Sequence, residues 1–127
     1  MSETRKIVLC VEDNSVNMLL VSRIVEAEGH DLVQAEDGYK AQTLLQEMVP
    51  DIILLDINLP GISGLELARE FKADERLASV PLIATTAQVL VGDRERCLEA
   101  GCDDYLPKPL DIRKLRELLR YHLSNSQ

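Results

Sequence analysis

Three carboxylates and one lysine stand where apolar runs of this chain give out. Glu12 and Asp13 follow Ile7-Val8-Leu9-Cys10-Val11, and Asp56 ends Ile52-Ile53-Leu54-Leu55. Lys108 lies between Pro107 and Pro109, just after Asp104-Tyr105-Leu106. One acid at a strand end is commonplace, but three around one sheet edge repel each other unless a cation compensates. Oxygen donors of this kind suit Mg2+. A carboxylate held like Asp56 can attack a phosphoryl group to give an acyl phosphate. Such transfers depend mainly on positioning and charge neutralisation. Mg2+ on one side and the Lys108 ammonium on the other would supply that neutralisation. Asn58 can offer a backbone carbonyl to the metal, and Thr85-Thr86-Ala87 leaves a hydroxyl near the same edge. Each residue also has a plainer reading: Asp13 as an acid at a helix start, Lys108 as a loop lysine, the threonines as good strand residues. A cis Lys108–Pro109 bond would aim the ammonium into the pocket.

These residues meet only if the chain builds one sheet. Short apolar runs alternate five times with longer helical patterns, the signature of βαβ units and a parallel sheet. The strands are expected at Lys6–Val11, Asp31–Ala35, Asp51–Leu55, Val80–Thr85 and Asp104–Leu106. The first, third and fourth are continuously apolar, as strands covered on both faces should be. Ligands of such sheets bind at the carboxyl ends of the strands. The last helix should start after Asp111 as N-cap and present Ile112, Leu115, Leu118, Leu119 and His122 on one face. Arg113, Lys114, Arg116, Glu117 and Arg120 fall on the other. The glycines at positions 29, 38, 64 and 101 punctuate helix ends and starts, whereas Leu59-Pro60-Gly61-Ile62-Ser63-Gly64 forms a turn-rich rim after Asp56. In the first helix Leu20, Val21 and Ile24 can face the sheet, leaving Val16 and Leu19 at its side.

At 127 residues with 46% hydrophobic and 28% charged residues, the chain reads as one globular domain with a self-sufficient core. A net charge of −8 argues against broad nucleic-acid binding, which needs a basic face. Cys10, Cys97 and Cys102 lack zinc spacing and read as reduced thiols. No run approaches a membrane span, and 1–6 lacks the apolar core of a signal peptide, so the expected location is the cytoplasm.

Four segments together resemble the receiver domain of two-component response regulators over almost the whole chain. They are Val11-Glu12-Asp13-Asn14, the run from Leu55-Asp56 to Ser63-Gly64, Pro81-Leu82-Ile83-Ala84-Thr85-Thr86-Ala87 and the run from Ala100-Gly101 to Lys108-Pro109. The resemblance implies a flavodoxin-like (βα)5 doubly wound parallel sheet in strand order 2-1-3-4-5, two helices on one face and three on the other. It implies that Asp56 takes a phosphoryl group from a phosphohistidine of a histidine kinase or histidine phosphotransfer protein. Glu12, Asp13, Asp56 and the Asn58 carbonyl would hold Mg2+, and Lys108 and Thr86 would contact the phosphoryl group. Thr86 and Tyr105 would form the switch, remodelling the surface of the fourth helix, fifth strand and fifth helix. Asn58 and Gln88 match positions that tune phosphoryl lifetime in the family, suggesting moderate autodephosphorylation. Pro107 departs from the small or polar residue usual before the lysine. Strings such as Ile62-Ser63-Gly64-Leu65-Glu66 look like those of stand-alone regulators of the DivK type, which act in cell-cycle and polarity signalling.

The expectation is therefore a single receiver domain over 1–127 without an effector domain, catalysing only its own phosphorylation and dephosphorylation. It would signal through a downstream protein target, as a monomer or a weak phosphorylation-promoted dimer. Two alternatives stand beside it. One is a receiver excised from a hybrid kinase or multidomain regulator. The other is a Mg2+-dependent phosphatase with an aspartyl nucleophile, although Asn58 stands where that chemistry wants a second acid.

Overall fold

A computed structural model describes residues 5–87 and 92–124. Five parallel strands, β1 (Ile7–Val11), β2 (Asp31–Ala35), β3 (Ile52–Asp56), β4 (Leu82–Thr86) and β5 (Asp104–Pro107), form one sheet in the order β2-β1-β3-β4-β5. The helices α1 (Ser15–Ala27), α2 (Gly38–Leu45), α3 (Gly64–Ala73), α4 (Asp93–Glu99) and α5 (Ile112–Ser124) make the crossovers and close the chain. The chain direction across the sheet reverses at β1 and β3, which opens a crevice at their carboxyl ends.

The sheet separates two apolar layers. Val8, Cys10, Ile52, Leu54, Ile83 and Leu106 pack under α1 and α5, against residues such as Val21, Ile24, Leu115 and Leu119. Alternate residues of the same strands, among them Leu9, Val11, Ile53, Leu55 and Leu82, pack under α2, α3 and α4. Burial on both faces explains why these strands read as unbroken apolar runs. The expected two-and-three division of helices is what the structure has.

The strand ends shift by a residue or two from expectation. The third strand begins at Ile52 because the Asp51 side chain accepts the Ile7 N–H at 2.8 Å and caps the neighbouring strand instead. The fourth begins at Leu82, since the Val80 N–H closes a turn onto the Leu77 carbonyl. It runs on through Thr86, just as β3 includes Asp56. Asp111 caps α5 as expected, its Oδ1 accepting the Arg113 N–H at 2.9 Å. The buried stripe of α5 is Leu115, Leu119 and Leu123, with Leu118 packed beside it, whereas Ile112 is exposed. Ile112 sits on that face by angle, but one turn ahead of the part that meets the core.

Candidate functional site

The register of the strands brings the chemistry together. Val11 pairs with Leu55, so Glu12 and Asp56 leave adjacent strands side by side, and Asp56 pairs with Thr85 on the next strand. Thr86 lies level with Pro107, and the Lys108 N–H donates to the Thr86 carbonyl at 2.8 Å. The Lys108–Pro109 peptide is cis. Asp13 projects exposed at the mouth, while Glu12 and Asp56 are 3% and 2% exposed.

Lys108 Nζ bridges the two buried acids, 2.8 Å from Glu12 Oε1 and 3.1 Å from Asp56 Oδ2. The remaining oxygens face backbone: Glu12 Oε2 accepts the Asn14 N–H at 3.1 Å, and Asp56 Oδ1 accepts the Asn58 N–H at 2.8 Å. Asn14 in turn caps α1 through Asn17 N–H, so the helix start and the acid pair are fixed by the same few residues. Carboxylate oxygens of Glu12, Asp13 and Asp56 lie within 4.8 Å of one another, a hard-oxygen donor set fit for a divalent cation.

Burial holds the Glu12 carboxyl above the usual glutamate range; the Asp56 charge adds to this, and the bonds from Lys108 and Asn14 only partly offset it. For Lys108, burial works against the charged form, yet the hydrogen bonds and charges of Glu12 and Asp56 outweigh it and raise the pKa. Lys108 is therefore an ammonium throughout the physiological range.

Two residues do more than sequence reading suggested. The Asn58 side chain, not only its backbone, belongs to the site: its Oδ1 accepts the Thr86 hydroxyl at 2.9 Å and the Ala87 N–H at 3.0 Å. A continuous hydrogen-bonded path thus runs Asp56–Asn58–Thr86. Gly64 is required by close approach, since a Cβ there would lie 2.5 Å from Ile57 Cα and 2.7 Å from the Asp56 carbonyl oxygen. Its place eight residues after Asp56 is visible in the sequence, but the contact needs the folded loop. Asp93, buried and paired with Arg96 at the start of α4, was also missed. It shares a small pocket with Asn58 and Thr86. Tyr105 packs partly buried against the core, and its hydroxyl has no hydrogen-bond partner among the described residues. Gln88 lies outside the described residues.

The model of the response regulator receiver domain matches residues 8–120 of this sequence. The chain belongs to the response regulator receiver domain family. Among curated relatives, it is 40% identical to the polar-differentiation response regulator DivK of Brucella ovis over 121 residues, covering 95% of this chain and 98% of that protein. Among solved structures, the receiver domain of a Pseudomonas aeruginosa sensor histidine kinase is 36% identical, with a TM-score of 0.86 over 96% of this chain and 100% of that one. That structure has a magnesium ion coordinated in its active site cleft. A CheY-like receiver domain protein from Methanospirillum hungatei superposes with a TM-score of 0.85 at 26% identity, covering 95% of each chain. This receiver domain thus has the fold expected of it. Among the described residues no helix is long and apolar enough to cross a membrane.

Proposed function

We propose that this receiver domain accepts a phosphoryl group on Asp56 from a phosphohistidine of a sensor kinase or phosphotransfer protein, and signals by protein contacts. The observation that carries this reading is the convergence of Lys108 with Glu12, Asp13 and Asp56 on one sheet edge. In the transfer, an Asp56 oxygen forms the new P–O bond as the P–N bond to the donor imidazole breaks. The imidazole keeps the electron pair and takes up a proton. Among the described residues each Asp56 oxygen accepts one hydrogen bond and retains a further lone pair for attack. Lys108 answers the charge on the phosphoryl oxygens, and the backbone bond from Asn58 keeps the carboxylate aimed. Glu12, Asp13, Asp56 and the Asn58 carbonyl would hold Mg2+, which when bound supplies positive charge at the transferring group.

Release of the Thr86 hydroxyl from Asn58 toward a phosphoryl oxygen is the natural first movement of the switch. Tyr105, whose hydroxyl has no hydrogen-bond partner among the described residues, would follow inward and alter the surface made by α4, β5 and α5. Hydrolysis of the acyl phosphate resets the domain at a moderate rate. Catalysis is confined to the chain's own phosphorylation and dephosphorylation, so a small phosphodonor should label it stoichiometrically. Multiple turnover on a phosphomonoester would instead establish the aspartyl phosphatase.

Docking of the phosphodonor is proposed on α1. Val16 and Leu19 are 73% and 54% exposed, and Leu19 lines a groove shared with Glu12 and Asp13. Apolar side chains beside a reactive carboxylate suit a helical partner. Leu19→Lys should slow transfer from the cognate donor while leaving labelling by a small phosphodonor unchanged; an unchanged transfer rate would remove this surface from the account.

A further inference from the structure

Two of the helices end in the same way. After α1, the Gly29 N–H donates to the Glu26 carbonyl and the His30 N–H to the Val25 carbonyl. After α4, the Gly101 N–H donates to the Leu98 carbonyl and the Cys102 N–H to the Cys97 carbonyl, both at 3.0 Å. Gly29 and Gly101 have φ of 84° and 105°. This is the Schellman ending, whose doubled-back chain sets the residue three before the cap beside the residue after the glycine. At α1 that pair is Val25 and His30. At α4 both positions are cysteine, and the two thiols lie within interaction range of each other.

The α4 pair has a further feature. Cys97 lines a pocket of about 50 Å3 with Asn58, Thr86 and Asp93, room for a molecule slightly larger than water. Both thiols are otherwise buried and free. Burial pushes the Cys97 thiol up and the Cys102 thiol to about 12, so both rest as protonated thiols and react slowly.

We propose that Cys97 and Cys102 are an oxidation site, converted by a small hydroperoxide into a disulfide that ties the end of α4 to the lead into β5. The Cys97 thiolate attacks one peroxide oxygen, the O–O bond breaks and water leaves, giving a sulfenic acid. The Cys102 thiolate then attacks that sulfur, the S–O bond breaks, and the departing hydroxide takes a proton to become a second water. Two thiols and one hydrogen peroxide thus give one disulfide and two waters. The link joins the segments that carry Asp93 and Tyr105. The proposal goes beyond the function of Asp56 and does not depend on it.

Cys10 supplies the internal control, because it is buried in the interior strand β1 and packs in the opposite apolar layer from Cys97 and Cys102. The folded chain is exposed to hydrogen peroxide at neutral pH, then denatured, alkylated and cleaved after glutamate, which cuts at Glu99 between the two cysteines. The expected result is loss of two alkylatable thiols of three, one linked Cys97–Cys102 peptide pair, an intact Cys10 and full recovery with dithiothreitol. Cys102→Ser should form no link and trap a dimedone-reactive sulfenic acid at Cys97. Retention of all three thiols would overturn the proposal. So would links between chains, or Cys10 reacting as fast as the pair, which would report unfolding rather than a site.

Discussion

Helix α1 has a glutamate at either end, and the two occupy opposite electrostatic regimes. Glu12, just before the helix, shares one lysine with Asp56 and has Asp13 at its side. Three negative charges against one positive leave an excess of two. Glu28, the C-cap, meets Arg120 in a two-bond clasp at 2.8 and 3.1 Å, with Arg116 3.4 Å away. There two cations serve one acid. Burial leads the rise in the Glu12 pKa, whereas the Arg120 hydrogen bond leads the fall in that of Glu28. Among the described residues the seam between α1 and α5 is thus balanced by its own cations, whereas the strand-end pocket has more carboxylates than cations. The contrast separates an acid that fastens two helices from a crowded cluster that fits the proposed cation site.

The largest effect should come from Lys108→Met. It strands Glu12 and Asp56 without their only described cation, and breaking such a buried pair costs about 3 kcal/mol. Urea unfolding at neutral pH should show this loss, and it should shrink in acid as Glu12 takes up a proton. An unchanged midpoint would mean that the pocket is not under charge stress. Next in size is Mg2+. A ligand at a hundred times its dissociation constant stabilises by about 2.7 kcal/mol, so the thermal midpoint should rise with added Mg2+. Asp13→Asn should blunt that rise and Glu28→Gln should leave it intact.

Glu28→Gln should itself cost about 1 kcal/mol at neutral pH, because its arginine partners are largely solvated and solvent screens the pair. The two glutamates should also differ in the sign of their pH response. Glu28 has a lowered pKa, so its contribution is present above the ordinary glutamate value and is lost as pH falls through the folded value. The penalty of Glu28→Gln therefore fades in acid. Glu12 has a raised pKa, so its contribution is full below the ordinary value and is lost as pH rises through the folded one. Glu12→Gln should gain on the parent protein over that rise. Stability measured across the acid range should show opposite slopes for the two variants, and parallel slopes would defeat the comparison.

The strand-end acids were legible because their strands are buried on both faces, and unbroken apolar runs such as Ile52–Leu55 announce where a strand stops. The four segments around them marked the fold and the pocket at once. What stayed hidden depends on contacts between distant segments. The clasp of Glu28 by Arg120 joins residues 92 positions apart, and neither residue type is unusual on a helix surface. The bond from Thr86 to the Asn58 side chain needs the loops after β3 and β4 to face each other. The Cys97–Cys102 spacing was in plain view, but its meaning required the helix to end at Ala100 and the chain to double back through Gly101. Ile112 was misjudged because angular position alone does not say how far along a helix the core extends.

A pocket built around Asp56 should make that residue the acceptor of a phosphoryl group. The most direct test is the intact mass of the chain after incubation with a small phosphodonor and Mg2+, for the parent protein and for Asp56→Asn. The expected gain is one phosphoryl group per chain, dependent on Mg2+ and absent from Asp56→Asn. Equal labelling of the two proteins, or none in the parent although it folds and binds Mg2+, would contradict it.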